Sequence, residues 1–219
     1  MLTLYQHPFA SYCWKALIAL DELDLPFERV QIDTDADRMR LSEIWPMANM
    51  PVLKDDSADV VIPEASAIIE HLDQRVGGGQ LIPADPAHAL DVRLWDRLFD
   101  NYVMTPMQKI VLDSLRPEGD RDGFGVEEAR GELDLAYAML DARLPEAGWA
   151  GGDAFTLADC SAAPSLFYAR AVHNWDDADH PTLARYYADL RARPSVDGVI
   201  EEARFFRVHF PLGWPDDVD

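Results

Sequence analysis

The feature that most constrains the fold of this chain is a proline placed directly before a short apolar strand, in the run Asn49–Leu53. The proline ring disfavours a helical backbone for the residue before it, so Met50 is expected to be extended. An X-Pro bond at a turn into a strand is also a place where the cis form can be held. The run therefore predicts a fixed backbone at Met50 whose N–H and C=O groups can pair with a ligand as a strand would.

A helix is predicted to begin shortly afterwards, in the run Pro63–Leu72. Its first residues are Pro63 and Glu64, and the first-turn N–H groups of a helix have no partner within the helix. Such groups attract an anion, for example a carboxylate. A strand edge and a helix N-terminus close together suit a small, extended, peptide-like anion.

Hydrophobic periodicity predicts an α/β plus all-α fold class. In the first part, strands and helices alternate, which is typical of a small mixed sheet with helices packed on it. The predicted strands are 2–6, 27–32, 52–54 and 60–62, and the predicted helices are about 11–24, 37–44 and 64–76. After Pro86 the pattern predicts helices alone, at about 87–115, 126–144, 157–173, 182–192 and 195–206, with an irregular tail after Phe210.

The run Gly77–Gly79 marks the end of the α/β part. No strand precedes these glycines and no Lys-Ser or Lys-Thr pair follows them, so a helix cap and linker is favoured over a phosphate-binding loop. We therefore predict an α/β domain over residues 1–78, a linker over 79–86 and an all-helical domain over 87–219.

Composition excludes several classes of partner. The net charge is −21, with 40 acidic and 19 basic residues, so nucleic acid and membrane surfaces are not expected to bind. No apolar run reaches the ~18 residues of a membrane span, and the first residues lack the order of a signal peptide. Cys13 and Cys160 form neither a disulfide framework nor a CxxC pair, which indicates a reducing cytoplasm. The histidines include no pair four residues apart and no HExxH motif, so no metal site is predicted.

A helix cap in the second half of the chain provides a further motif. Thr156 is the expected N-cap of the helix after it, and Asp159 is expected to accept the Thr156 N–H. The run that contains them, Gly152–Asp159, lies about ninety residues after Glu64. Together with the two earlier segments, it resembles the cytosolic glutathione transferase superfamily, bacterial and Ser-type-like. The resemblance implies a thioredoxin-like N-terminal domain with a four-stranded mixed sheet, a C-terminal helical bundle and a homodimer.

The resemblance also implies a glutathione site that can be assigned residue by residue. Met50 matches the residue whose backbone pairs with the cysteinyl part of glutathione, and Pro51 matches the family's cis-proline. Glu64 matches the acid that holds the γ-glutamyl amine. Asn49 stands where many relatives have Lys or Gln. Glutathione is then a co-substrate, and no metal is implied.

The position after Glu64 departs from the family pattern. Relatives usually have Ser or Thr there to bind the γ-glutamyl carboxylate, whereas this chain has Ala65. Either Ser66 or the backbone N–H of Ala65 is expected to take that role. Glu64 and Ser66 can also be interpreted as ordinary first-turn capping residues.

By the same resemblance, Ser11 is the expected donor of a hydrogen bond to the glutathione sulfur. A free thiol has a pKa of ~8.5, so only a small fraction is thiolate at neutral pH. A hydrogen bond and a nearby helix N-terminus favour the charged form. The family's usual catalytic position falls one residue earlier, at Ala10. Two alternatives stay open: Ser11 caps the first helix by bonding the N–H of Cys13 or Trp14, or Tyr12 is the donor.

Cys13 offers a different chemistry. A cysteine in a first helical turn can have a lowered pKa and form a mixed disulfide, as in the thiol-transferase branches of the superfamily. Cys13 also lies on an apolar stripe with Leu17 and Leu20, which favours a buried, inert thiol. Lys15 is expected to extend along the apolar surface to solvent or to pair with surface acids.

A pocket for the second substrate is expected between the two domains. Its candidate residues, which can also be core residues, are Phe9, Tyr12, Tyr102, Met104 and Met107. The resemblance thus implies a cytoplasmic glutathione transferase that activates the glutathione thiolate for attack on a small hydrophobic electrophile. Two alternatives stay open: a glutathione-dependent thiol or disulfide reductase that uses Cys13, and a non-enzymatic interaction module on the same fold.

Overall fold

The computed structural model describes residues 1–216 and residue 218. The first part of the described chain contains four strands and three helices. The strands are β1 (Leu2–Gln6), β2 (Glu28–Gln31), β3 (Val52–Asp55) and β4 (Val60–Pro63). The helices are α1 (Ser11–Glu22), α2 (Asp35–Ile44) and α3 (Ala65–Arg75). Each element lies where the periodicity predicted it, with its ends shifted slightly.

The strands form one mixed four-stranded sheet, as predicted, and their order in it is β2-β1-β3-β4. β1 runs parallel to β2 and antiparallel to β3, and β4 runs antiparallel to β3. The register places Tyr5, Val52 and Pro63 side by side. The loop after β1, the turn before β3 and the N-terminus of α3 therefore meet at one end of the sheet.

The rest of the described chain is helical. Its helices are α4 (Pro86–Leu98), α5 (Thr105–Ser114), α6 (Gly123–Arg143), α7 (Leu157–Val172), α8 (Pro181–Arg191) and α9 (Pro194–Arg204). No described residue after Phe210 lies in a helix or strand, as predicted, and residues 217 and 219 of that tail lie outside the described residues. None of the described helices is long and apolar enough to cross a membrane.

The prediction of a single helix over 87–115 is wrong. A π-helical segment, Phe99–Met104, separates α4 from α5. Pro106 accounts for the change, because it has no N–H to donate and its ring excludes the carbonyl four residues earlier from an ordinary helical position. The Thr105 hydroxyl donates a hydrogen bond to the Asp100 carbonyl oxygen at 2.9 Å within this wider segment.

α7 is the central helix of the helical part and is buried along almost its whole length. The Thr156 N–H donates to the Asp159 carboxylate at 2.8 Å, which confirms the predicted cap. The same carboxylate accepts the Ala150 N–H at 2.9 Å and the Tyr186 hydroxyl at 2.6 Å. α7, which begins at this cap, packs against α1 of the α/β part.

Candidate active site

A cavity of about 890 Å³ lies between the α/β part and the helical part. Its α/β wall is the end of the sheet where the loop after β1, the turn before β3 and the start of α3 meet. Its helical wall includes Arg97 of α4, Asp100 of the π-helical segment, Met107 of α5 and Tyr168 of α7. Both parts of the chain are therefore needed to close this cavity.

Most of the site residues predicted from the sequence line this cavity. They are Phe9, Ser11, Tyr12, Asn49, Met50, Pro51, Glu64, Ala65 and Met107. The folding of the sheet brings together segments that are well separated in the chain. The chemical roles assigned to these residues stay predictions.

Two predicted pocket residues of the helical part lie elsewhere. Tyr102 is 57% exposed and does not line the cavity, whereas Met104 is fully buried in the hydrophobic core. Both predictions were wrong because they assumed an ordinary helix through this region. A π-helical turn contains an extra residue, which changes the directions of its side chains.

The Ser66 hydroxyl is occupied by residues of the helical part. It donates to the Asp96 carboxylate at 2.9 Å, and it does not line the cavity. Both predicted roles for Ser66, ligand for a carboxylate and first-turn cap of α3, are therefore contradicted. The Ala65 and Ser66 N–H groups have no hydrogen-bond partner among the described residues, so the start of α3 presents unpaired donors.

The backbone of the α/β wall of the cavity has an unusual conformation at two positions. The Met50–Pro51 peptide bond is cis, as the sequence predicted. Glu64 has a φ of +70°, in the left-handed region that residues with a side chain rarely adopt. Its carbonyl caps α3 by accepting the Ile68 N–H at 2.9 Å, while its side chain makes no capping hydrogen bond. The Glu64 side chain is therefore not a helix cap, which contradicts that interpretation.

The N-terminus of α1 lies at the same cavity. Ser11 is the first residue of α1 and Ala10 is its N-cap. The Cys13 N–H donates to the Ala10 carbonyl at 2.9 Å, so the interpretation of Ser11 as a side-chain cap is wrong. Among the described residues the Ser11 hydroxyl has no hydrogen-bond partner, and it lies at a wall of the cavity.

Tyr12 brings a second hydroxyl to this wall. Burial, together with the nearby Asp100 carboxylate, raises the pKa of Tyr12 to about 12. The phenol therefore keeps its proton at neutral pH, and in that state it can donate a hydrogen bond.

Cys13 has no exposed surface and does not line the cavity. Burial raises the pKa of its thiol to about 12, although a hydrogen bond to the His7 backbone opposes the rise. A reactive cysteine needs the thiolate form and access to its substrate. Burial and the raised pKa of Cys13 therefore argue against the alternative of a reductase that uses this thiol.

We expect both cysteines of the native protein to resist alkylation by iodoacetamide at about pH 8, close to the ordinary thiol pKa of ~8.5. Cys160 is also fully buried, and burial raises its pKa well above the ordinary value. Mass spectrometry before and after unfolding in guanidinium measures the extent of reaction. Rapid alkylation of Cys13 in the folded protein, with loss of turnover, would restore the reductase alternative.

Sequence reasoning missed a buried charge cluster beside the cavity. Lys15, predicted to reach the surface, is 0% exposed. Its Nζ donates to the Asp96 carboxylate at 2.8 Å and to the Asp100 carboxylate at 2.8 and 2.9 Å. The Arg97 guanidinium donates to both carboxylates as well. The prediction for Lys15 was wrong because α1 presents this side chain to the helical part instead of to solvent. We call Lys15, Asp96, Arg97 and Asp100 the charge cluster.

The two cations of the charge cluster balance its two carboxylates. Burial alone would raise the pKa of Asp96, but the Lys15 ammonium and the Ser161 hydroxyl hold that pKa below its ordinary value. Burial raises the pKa of Asp100, against the opposing effect of Lys15 and with a further rise from Asp96. Because Arg97 and Asp100 also line the cavity, the charge cluster connects the buried interface to the candidate site.

Two further polar residues of the cavity were not predicted. Arg38 lies on α2 and is exposed, and its side chain forms no hydrogen bond or ion pair with the described residues. His209 reaches the cavity from the segment after α9. Neither residue stands in a recognisable motif, so only the placement of α2 and of the chain after α9 could identify them.

The fold and the cavity define a class of protein, in which a thioredoxin-like sheet domain and a helical domain enclose a small-molecule site. Two family models match the chain in that order. The model described as glutathione S-transferase, N-terminal domain, matches residues 4–80, and the corresponding C-terminal domain matches residues 124–189. The chain belongs to the cytosolic glutathione transferase superfamily, and its enzyme class is glutathione transferase. The resemblance of the sequence motifs is thereby confirmed.

Individual relatives cover nearly the whole chain. Glutathione S-transferase GstB of Escherichia coli is 29% identical over 91% of this chain and 98% of that protein. A glutathione S-transferase structure from Methylobacillus flagellatus with glutathione bound has a TM-score of 0.82 at 25% identity, over 91% of this chain and 98% of the other. One from Methylobacterium radiotolerans, in complex with glutathione sulfonate, has a TM-score of 0.79 at 28% identity, over 91% and 94%.

Proposed function

We propose that this chain binds glutathione in the cavity between its two parts and activates the thiol for attack on a small apolar electrophile. The observation that carries the proposal is the meeting of three structures at one cavity. These are the cis backbone at Met50, the start of α3 with Glu64, and the N-terminus of α1 with its unpartnered Ser11 hydroxyl. The relatives with glutathione or its sulfonate bound support this choice of ligand.

Glutathione is an extended tripeptide with one ammonium and two carboxylates. In the proposed complex the Met50 backbone pairs with the cysteinyl part, and Glu64 accepts the γ-glutamyl ammonium. The unpaired N–H groups at the start of α3 attract the γ-glutamyl carboxylate, because they carry the positive end of the helix dipole. Arg38 supplies a cation on the same cavity for the glycyl carboxylate. These local charges act against the overall charge of −21, which repels an anionic ligand.

The thiol is activated by stabilising its ionised form. In the proposed complex the Ser11 hydroxyl donates to the sulfur, and the N-terminus of α1 favours the negative charge. Tyr12, whose pKa of about 12 keeps it protonated, is the alternative donor. The thiol proton leaves to solvent, so no general base is required. The thiolate then attacks an electrophile held against the apolar walls, which include Phe9, Met107 and Phe210.

Titration calorimetry with glutathione, in buffers of different ionisation enthalpy, tests this proposal. We expect a dissociation constant in the micromolar to millimolar range. We also expect proton release near neutral pH, because a bound thiol with a pKa below ~8.5 loses its proton on binding. Ophthalmic acid, which has a methyl group in place of the thiol, is the matched control and should bind without that release. Absence of glutathione binding would contradict the proposed ligand, and equal proton release with both compounds would contradict activation.

A further inference from the structure

Arg97 occupies a particular position in the charge cluster. Lys15, Asp96 and Asp100 are buried, whereas the side chain of Arg97 is 51% exposed and lines the cavity. Arg97 lies near the end of α4 and thus belongs to the helical part of the chain. It therefore extends a cation from the helical part into a site whose predicted glutathione-binding groups lie on the α/β part.

The contacts of Arg97 place it at the start of α3. Its Nη2 donates to the Ser66 hydroxyl at 3.1 Å and to the Asp96 carboxylate at 2.9 Å, and its Nε donates to Asp96 at 3.1 Å. Glu64 and Ala65, the residues just before Ser66, line the same cavity. Nη1 forms no hydrogen bond with the described residues, so two N–H donors of the guanidinium are available to a ligand.

Charge at this corner of the cavity favours a zwitterion. The two positive charges of the charge cluster equal its two negative charges, so its net charge is zero. Glu64 adds one negative charge at the start of α3. An ammonium group is attracted to Glu64, while a carboxylate beside it needs a cation to offset the nearby acids. Arg97 is the cation of the charge cluster that reaches the cavity, because Lys15 is fully buried.

We propose that Arg97 binds the α-carboxylate of the γ-glutamyl group of glutathione, a role that the Ala65 side chain lacks the hydroxyl to perform. This inference rests on the proposed function, because it concerns the same ligand in the same cavity. The buried ion pairs to Asp96 and Asp100 hold the guanidinium in place, and Nη1 donates to the carboxylate. The site then discriminates against thiols that lack this carboxylate, and Arg97 adds a contribution from the helical part to that of the N–H groups of α3.

The test compares two thiols and two proteins. Glutathione is compared with γ-aminobutyryl-cysteinyl-glycine, which lacks only the α-carboxylate, and Arg97→Gln is compared with the unaltered protein. A hydrogen bond between charged groups changes a binding constant by about 10- to 100-fold. We expect the unaltered protein to prefer glutathione by at least that factor. In Arg97→Gln, glutathione should bind about 10- to 100-fold more weakly and the analogue should bind as before, so that only the preference due to the N–H groups at the start of α3 remains.

Two further variants separate this role from a structural one. Arg93→Gln removes an arginine one turn earlier on α4 that pairs with Glu70 and does not line the cavity, and it should leave both affinities unchanged. Arg97→Lys keeps a cation and should retain part of the preference. Equal weakening of both thiols in Arg97→Gln, or no preference in the unaltered protein, would overturn the proposal. Failure of the unaltered protein to bind glutathione would instead contradict the proposed function.

Discussion

Replacement of Lys15 with Met is expected to lower the free energy of unfolding by about 3–5 kcal/mol, since it leaves buried carboxylates without their partner. The Lys15 ammonium contacts both Asp96 and Asp100, and none of the three groups has appreciable exposed surface. Methionine has a similar length and an apolar end, so it fills the space without replacing the charge. Chemical denaturation monitored by circular dichroism measures the change.

The same variant should show a distinct dependence on pH. Without Lys15, the pKa values of Asp96 and Asp100 rise in the folded protein above the unfolded value of ~3.9. The loss of stability caused by Lys15→Met is then absent at a pH below the unfolded pKa of ~3.9. It grows as pH rises through the folded pKa values of Asp96 and Asp100, so it should be largest near neutral pH. Lys54→Met, which removes an exposed lysine paired with Asp56, is the control and should change stability by less than about 1 kcal/mol. A loss in Lys15→Met as small as in this control would contradict a charge-balancing role.

Replacement of Ser11 with Ala is expected to raise the pKa of the bound glutathione thiol by about one to two units. A hydrogen bond to a charged group contributes about 1.5–3 kcal/mol, and one pKa unit corresponds to about 1.4 kcal/mol. At neutral pH the thiolate fraction, and with it kcat/KM, should fall about 10- to 100-fold, because only the thiolate attacks. Ultraviolet absorbance of the bound thiolate, followed against pH, measures the shift directly.

Tyr12→Phe is the matched control for this experiment, since it removes the other hydroxyl at the N-terminus of α1. If Ser11 is the donor, Tyr12→Phe should leave the thiol pKa nearly unchanged. An unchanged pKa in Ser11→Ala would remove Ser11 from the mechanism. A shift confined to Tyr12→Phe would identify Tyr12 as the donor.

The elements of the fold were largely predictable because their signals are local. Alternation of apolar residues identified the strands, and the cap at Thr156 and Asp159 identified the start of the central helix. The wrong prediction over 87–115 arose where an apolar pattern continued through the π-helical segment. Pro106 was the local signal there, and its effect on the preceding carbonyls explains the break.

The predicted site residues that line the cavity include those whose motif lies in one short segment, and their chemical roles stay predictions. Met50, Pro51, Glu64 and Ala65 belong to two such segments, and all four line the cavity. The prediction failed for Ser66, whose short spacing from Glu64 suggested the same cavity. Its hydroxyl instead contacts Asp96, thirty residues further along the chain.

The sequence by itself determined the order of the strands and helices along the chain, the proline turn into β3 and the helix starts, because backbone geometry and capping depend on neighbours in the chain. Only the tertiary structure decided which charges meet. Lys15 lies on α1, whereas Asp96, Arg97 and Asp100 come from the helical part, and no local pattern indicates that they balance one another. Packing of the two parts buries Cys13 and Lys15 completely, and it places Arg97 at the cavity. The physical reason is that solvent exposure and ion pairing depend on the packing of distant segments, which a local pattern does not contain.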